Sequence, residues 1–203
     1  MLEIVICGHD GTGKSTQVKL LENYLKTNNY SVKRIDQPTK TDLGKTIRKY
    51  LNEHDITSGK MPYALACMFA ANRYEIETEL EKVRKEVDFI IHDRNGISNL
   101  VYSKLIDLPS DFHWFEVMES MIKIPDIILI LDQDPEVSFR RTEKLGQYED
   151  LEFLRGARER YLKVAKIYNE KTTVKVIDCN GKTKKEVHLE IISRLNDFIR
   201  GGD

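Results

Sequence analysis

Residues 8–16 read GHDGTGKST and follow directly on the apolar run LEIVIC. Gly8, Gly13, Lys14 and Ser15 meet the spacing G-x-x-x-x-G-K-[ST], and Gly11 adds a third glycine within six residues. Glycine opens backbone conformations closed to residues with a Cβ and lets the main chain approach a ligand closely. In such a loop the backbone N–H groups turn inward around phosphate oxygens, the lysine reaches the β- and γ-phosphates of ATP, and the hydroxyl ligates Mg²⁺. The helix that follows aims its positive dipole end at the same anion. The expected phosphate cradle is therefore Gly8, His9, Asp10, Gly11, Thr12, Gly13, Lys14, Ser15 and Thr16.

Three further clusters carry charge or aromatic rings at informative spacings. IIHDR puts Asp93 and Arg94 at the end of an apolar run, where a carboxylate suits Mg²⁺ and a guanidinium fork suits a second phosphate. Asp93 could equally cap the next helix. FAANRYE carries Phe69 and Arg73 four residues apart, on one helix face, where a ring can stack on a base beside a cation, although a core Phe next to a solvated Arg has the same spacing. SFRRTEKLGQYED supplies Arg140, Arg141 and Lys144 as a candidate lid over transferring phosphates, or a solvated helix face. No N-K-x-D guanine motif is present, so DRNG at 93–96 does not make a GTPase, and the protein-kinase signatures are missing.

Positioning these groups requires an α/β frame. Short apolar runs at 2–7, 31–36, 88–92, 126–132 and 173–178 alternate with amphipathic stretches at 14–28, 41–52, 61–84, 95–106, 111–122, 135–145, 149–170 and 183–200. That alternation predicts βαβ units, a five-stranded parallel sheet covered by helices on both faces, and ligands at the carboxyl ends of the strands. Val187, Ile191, Ile192, Leu195 and Ile199 form a helical core stripe. The length of 203 residues and the lack of a linker or repeat fit one domain over 1–203, with a lid segment near 140–150. A net charge of −1 offers no general attraction to nucleic acid or to an anionic membrane. No run reaches transmembrane length and MLEIVIC reads as a strand rather than a leader, so neither nucleic acid nor membrane is an expected partner. Cys7, Cys67 and Cys179 form no C-x-x-C pair and are expected to be buried thiols of a reducing cytoplasm.

The whole chain resembles the thymidylate kinases, a family of phosphate-loop nucleoside monophosphate kinases. GHDGTGKST is similar to that family's G-x-D-G-x-G-K-S-T, MFAANRYE to L-F-[AS]-A-[DN]-R, and HDRNGISNLVYS to D-R-Y-x-x-S-x-x-A-Y-Q. IPDIILILDQDPEVSFRR resembles P-D-x-x-x-x-L-D-x-x-P-E-x-x-x-x-R, and EDLEFLRGARERYLKVA resembles E-x-x-x-F-x-x-x-V-R-x-x-Y-L-x-L-A. The matches run in family order from residue 4 to about residue 180.

The resemblance implies phosphorylation of dTMP to dTDP by ATP with Mg²⁺, in a cytoplasmic homodimer, with YALACMFAA as a candidate dimer face. It implies that Phe69 stacks on the base, that Arg73 and Arg94 hold the acceptor monophosphate, and that Tyr102 lies against the 2′ face of the sugar. Asp10 would contact the acceptor sugar or organise Mg²⁺ and phosphate, and Arg48 or Lys40 would add a cation. The family places its catalytic arginine in the loop or in the lid. Gly11 occupies the loop position, so Arg140 or Arg141 is the candidate. Ser15 and Asp93 would hold the metal. Three departures fall on the acceptor side: Asn95 replaces the aromatic of D-R-Y, Ser103 stands where Gln is common, and DQPTK replaces R-E-P-G-G. They leave open a kinase for another nucleoside monophosphate or a deoxynucleoside. A non-catalytic ATP sensor is the alternative from a different class.

Overall fold

The computed structural model describes residues 1–54, 59–141 and 150–200. Five strands form one parallel sheet: β1 (Leu2–Cys7), β2 (Val32–Asp36), β3 (Phe89–Asp93), β4 (Ile127–Asp132) and β5 (Thr173–Asp178), in the spatial order β2-β3-β1-β4-β5. The described helices are α1 (Lys14–Thr27), α2 (Asp42–Glu53), α3 (Met61–Val83), α4 (Gly96–Tyr102), α5 (Pro109–Met118), α6 (Pro135–Arg141), α7 (Leu151–Tyr168) and α8 (Lys184–Arg200).

The unbroken apolar runs EIVIC, FIIH and IILIL become the three central strands, because a parallel sheet covered on both faces presents no polar side to water. Ile4, Ile6, Ile91, Leu129 and Leu131 face α1 and α8, where Val18, Leu21, Leu25, Val187, Ile191 and Leu195 close one core. Val5, Cys7, Ile128 and Ile130 face the other way, onto Ala66 of α3, Leu100 of α4, Phe115 of α5 and Tyr161 of α7. The result is a three-layer α/β/α sandwich. Of the expected α8 stripe, Val187, Ile191 and Leu195 are buried and Ile199 packs against the core edge, whereas Ile192 is only half-buried and lies outside that core.

Each strand matches its expected span to within a residue, whereas α4, α5 and α7 differ from theirs by two residues or more, α5 ending at Met118 instead of 122 and α7 spanning Leu151–Tyr168 instead of 149–170. α4 stops at Tyr102 instead of near 106, because Lys104 adopts a left-handed φ of 59°. The amides of Lys104 and Leu105 then donate back to Val101 and Leu100 at 3.3 and 3.1 Å, a Schellman stop built on a lysine. α5 starts at Pro109, ahead of the expected 111, since proline fits the first turn where no donor is needed. α6 is described to Arg141, and the remainder of the expected lid, with Lys144, lies outside the described residues. Cys7 and Cys179 are buried, but Cys67 is exposed, because it lies on the outer stripe of α3 with Ala64, Ala71 and Tyr74.

Candidate active site

β1 is the central strand, and its last residue delivers the loop of residues 8–13 to the carboxyl edge of the sheet. Gly11 has φ +82°, and a Cβ there would lie 2.6 Å from the carbonyl oxygen of Ser138, so the loop closes on α6 only with glycine. Gly13, at φ 90°, caps α1 with no side chain, which leaves the first amides of the helix for an anion. Two side-chain bonds to one carbonyl hold the loop shape. Thr12 Oγ1 donates to His9 O at 3.0 Å, and Lys14 Nζ donates to the same oxygen at 2.8 Å. The His9 ring bridges the Asp10 carbonyl (Nδ1, 3.0 Å) and the Gln133 carbonyl (Nε2, 2.9 Å), tying the loop to the end of β4. Ser15 and Thr16 are exposed on the first turn of α1.

Lys14 is 5% exposed. Burial, with the charge of Arg94 nearby, lowers its ammonium to about 8, against the opposing pull of Asp10 and Asp93. Arg94 leaves β3 with φ 69°, an uncommon value outside glycine, and its amide still bonds Ile6 O at 3.1 Å. Such backbone strain persists where its surroundings over-determine it. Here the guanidinium is pinned on three sides. It pairs with Asp10, faces Gly8 O at 3.4 Å, and lies 3.3 Å from the Tyr102 hydroxyl, with the Tyr102 ring 5.0 Å away. Tyr102 donates in turn to Asp10 Oδ2 at 3.2 Å. Asp10, Lys14, Arg94 and Tyr102 thus form one charged cluster at the strand ends.

That cluster opens into a pocket of about 220 Å³ whose walls include Asp10, Arg94, Tyr102 and Phe69. Apolar Leu51, Leu65 and Phe153 line it together with Gln37, Asn95, Ser98 and Asn99. Asn95 caps α4 by accepting from the Ile97 amide at 3.1 Å, and Asn99 donates to Ala66 O at 3.1 Å. Asn95, Ser98, Asn99 and Tyr102 recur at helical spacing, a polar stripe on a mostly buried helix. The stripe is readable in NGISNLVY, of which the sequence reading names Tyr102 as a site residue and Asn95 only as a departure on the acceptor side.

Other candidates fall around this pocket. Arg48 is exposed on α2 and turns its guanidinium to the carbonyls of Pro38 and Thr39 (2.6 Å to Thr39) beside the rim, and Lys40 is exposed on the same loop. Arg73 is 3% exposed and paired with Glu119, and it lines a second cavity that shares Gln37 and Asn95 with the pocket. Asp93 ends β3 beside Asp36 of β2, 8% exposed, with Arg34 Nη2 3.9 Å from its carboxylate. Arg140 and Arg141 project from the end of α6 on the phosphate-loop side, both exposed, and Arg141 donates to Gln133 Oε1 at 3.2 Å.

Known proteins share this chain's sequence over nearly its whole length. The thymidylate kinase family model matches residues 6–191. A protein of Methanosphaera stadtmanae named "Probable thymidylate kinase" is 35% identical over 198 residues, which is 97% of this chain and 98% of its own. One of the same name from Pyrococcus horikoshii is 31% identical, covering 98% and 97%. Among solved structures, the thymidylate kinase of Candida albicans, described as having broad substrate specificity, superposes with a TM-score of 0.77 at 25% identity, over 96% of this chain and 91% of its own. Similarity that runs from the phosphate loop into the last helix, shared with relatives of nearly equal length, makes the chain a member of the thymidylate kinase family.

Proposed function

We propose that the protein transfers the γ-phosphoryl group of ATP to dTMP, giving ADP and dTDP for dTTP synthesis, with Mg²⁺ as cofactor. The observation that carries this reading is the position of Arg94. It is a wall of the 220 Å³ pocket and, through its charge, a neighbour of the phosphate-loop lysine. A cation shared by two adjoining anion sites suits a reaction in which two polyanions meet in line.

The acceptor phosphate has a second pKa near ~6 and is mostly a dianion at neutral pH. It needs no general base. An oxygen of dTMP bonds to the γ-phosphorus as the bond to the β,γ-bridging oxygen breaks, and that electron pair leaves with ADP. The loop amides and Lys14 hold the donor, with Arg140 or Arg141 closing over it. Arg94 and Tyr102 orient the acceptor, and Phe69 and the apolar wall take its base. Asp10 releases Arg94 to the incoming phosphate and turns to the sugar or to the metal-bound donor. Ser15 and Asp93 offer hard oxygen donors, a hydroxyl and a carboxylate, which would suit Mg²⁺. Bound there, Mg²⁺ would neutralise charge developing on the transferred group.

A deoxynucleoside kinase would need a base to deprotonate a hydroxyl. Asp93 ends β3 with Arg34 Nη2 3.9 Å from its carboxylate, and this reading gives it to the metal instead. The test is ADP formation from ATP across dTMP, dUMP, dCMP, dGMP, AMP and thymidine. Turnover with dTMP and none with thymidine is the expected result. ADP release that ignores every monophosphate sinks the proposal.

The reading includes a cytoplasmic homodimer. Its support is the exposed stripe Ala64, Cys67, Ala71 and Tyr74 on α3, continued by Trp114 and Val117 on α5. Tyr74 donates to Met118 O at 2.8 Å and joins the two helices into one face. Sedimentation of Ala71→Arg checks it: a monomer is expected, and an unchanged dimer moves the interface elsewhere. The free cysteines fit a reducing compartment.

A further inference from the structure

Gln133, one residue past β4, is a polar side chain only 1% exposed. Its backbone carbonyl meets the His9 ring of the phosphate loop at 2.9 Å. Its Nε2 donates to Asn180 Oδ1 at 2.8 Å, in the connection between β5 and α8. Its Oε1 accepts from Arg141 Nη1 at 3.2 Å, in the last turn of α6. One buried residue therefore ties the end of β4 to the phosphate loop, to the loop after β5 and to an exposed arginine. Positions 9 and 133 are both unspecified in the family patterns G-x-D-G-x-G-K-S-T and L-D-x-x-P-E, so this junction is no part of the resemblance.

The sense of each bond is forced. A guanidinium can only donate, so Gln133 must turn its oxygen to Arg141. The Asp134 amide can only donate too, and it takes Asn180 Oδ1 at 2.8 Å, so Gln133 must offer its Nε2 to that same oxygen. Asn180 is fixed in turn by Asp178 Oδ1, which accepts from its amide at 3.0 Å and from its Nδ2 at 2.7 Å. The helix agrees with this direction. Ser138 shares a face of α6 with Arg141, three residues on, and its Cβ lies 2.9 Å from where a Cβ of Gly11 would stand. Arg141 thus rises from the side of α6 that packs on the phosphate loop, and Arg140 lies about 100° round the helix from it. A guanidinium already held there gives up less rotamer freedom when an anion arrives. We propose that Gln133 is a positioning residue for the transfer: it holds the fork of Arg141, rather than Arg140, beside the phosphate loop to meet a nucleoside triphosphate, and Asn180 holds Gln133 in place. The inference rests on the kinase reading above.

Steady-state kinetics on the full-length protein test this, with melting temperatures as the check on folding. Gln133→Met removes both side-chain arms and keeps the backbone carbonyl that meets His9. It should lower kcat/KM for ATP about tenfold, the loss of one hydrogen bond to a charged group, and leave KM for dTMP within twofold. Gln133→Glu keeps an oxygen for Arg141, loses only the donor to Asn180, and should recover most of that loss. In an Arg141→Ala background the effect of Gln133→Met should shrink below twofold. In an Arg140→Ala background it should stay near tenfold, a split that a merely structural role for Gln133 would not produce. A kcat/KM for ATP in Gln133→Met within twofold of the unmodified protein, or strictly additive effects at 133 and 141, overturns the proposal. So does a rise in kcat/KM, which would mean that the bond keeps Arg141 away from the nucleotide. Should Gln133→Met fail to fold, the exposed positions still decide: Arg141→Ala must cost more kcat/KM for ATP than Arg140→Ala, and the reverse order overturns the proposal. If the unmodified protein makes no dTDP, the function proposed above falls, and calorimetric titration of ATP onto the same variants then tests Gln133 by itself. A Kd about tenfold weaker in Gln133→Met, with no further loss when Arg141→Ala is added, supports its role, and an unchanged Kd overturns it.

Discussion

The two halves of the crevice are built from different materials. The donor half is main chain: a glycine loop, the uncapped amides of α1, and one lysine bonded to the loop's own carbonyl. The half proposed for the acceptor is side chain upon side chain, with Arg94 on Asp10 and Tyr102, Arg73 on Glu119 and Gln37, and Asn99 on the carbonyl of Ala66. Amides cannot be altered by substitution, so the donor half responds through backbone geometry and through Lys14. The acceptor half responds through chains of partners, where one change propagates and effects do not add. A family can therefore keep one phosphate grip and vary its acceptor side, which is where the departures Gln37, Asn95 and Ser103 lie.

The largest break in this contrast is expected from Lys14→Ala. It should lower kcat by about 10²–10³, the scale for losing one preorganised charge-stabilising donor. The melting temperature should hold, since the variant removes a buried charge rather than packing. Near-normal turnover would refute the role. Next comes Arg94→Ala, which should raise KM for dTMP by about 30-fold or more and leave KM for ATP nearly unchanged, as truncating one member of a charge pair costs about 2–5 kcal/mol. The reverse pattern would put Arg94 on the donor side. Gly11→Ala tests the backbone half directly. A Cβ forced against Ser138 O at φ +82° should destabilise the fold by about 1–3 kcal/mol and weaken ATP binding while sparing dTMP binding. Equal losses of both ligands would show that the halves are not independent.

The smallest effect is a proton. Lys14 titrates near 8 in the nucleotide-free protein because it is buried beside Arg94. Phosphates favour the ammonium, so ATP binding near pH 8.5 should take up a fraction of a proton, and ATP affinity should fall as pH rises above 8. Calorimetry in two buffers of different ionisation enthalpy measures the uptake, and proton release would contradict it. The same depressed value makes the unfolded chain the better proton binder between about pH 8 and 10.5, so this group favours folding progressively more as pH rises through that window.

What was legible in the sequence was local. The phosphate loop and the central strands announce themselves in consecutive residues, because glycine spacing and unbroken apolar runs have only one use in an α/β frame. Lys104 was not legible. Left-handed φ is ordinary for Gly or Asn, as at Asn29, and nothing in KLIDL marks a lysine for it. The Arg73–Glu119 pair was not legible either, since its members are 46 residues apart and each alone reads as solvated helix charge. The sequence reading puts Arg73 on the acceptor phosphate, and only the fold brings Glu119, Gly96 and Gln37 around it.

The sheet order has one last consequence. β1 is hydrogen-bonded along both edges, to β3 and β4, while β2 has a neighbour on one side only. The strand that carries the phosphate loop is one of three, with β3 and β4, that are paired on both sides. Deuterium should enter the amides of Ile4–Cys7 among the last, and should reach Val32–Asp36 on the edge strand earlier. As the protein is warmed, its hold on nucleotide triphosphate should therefore outlive its choice of partner for the transferred group.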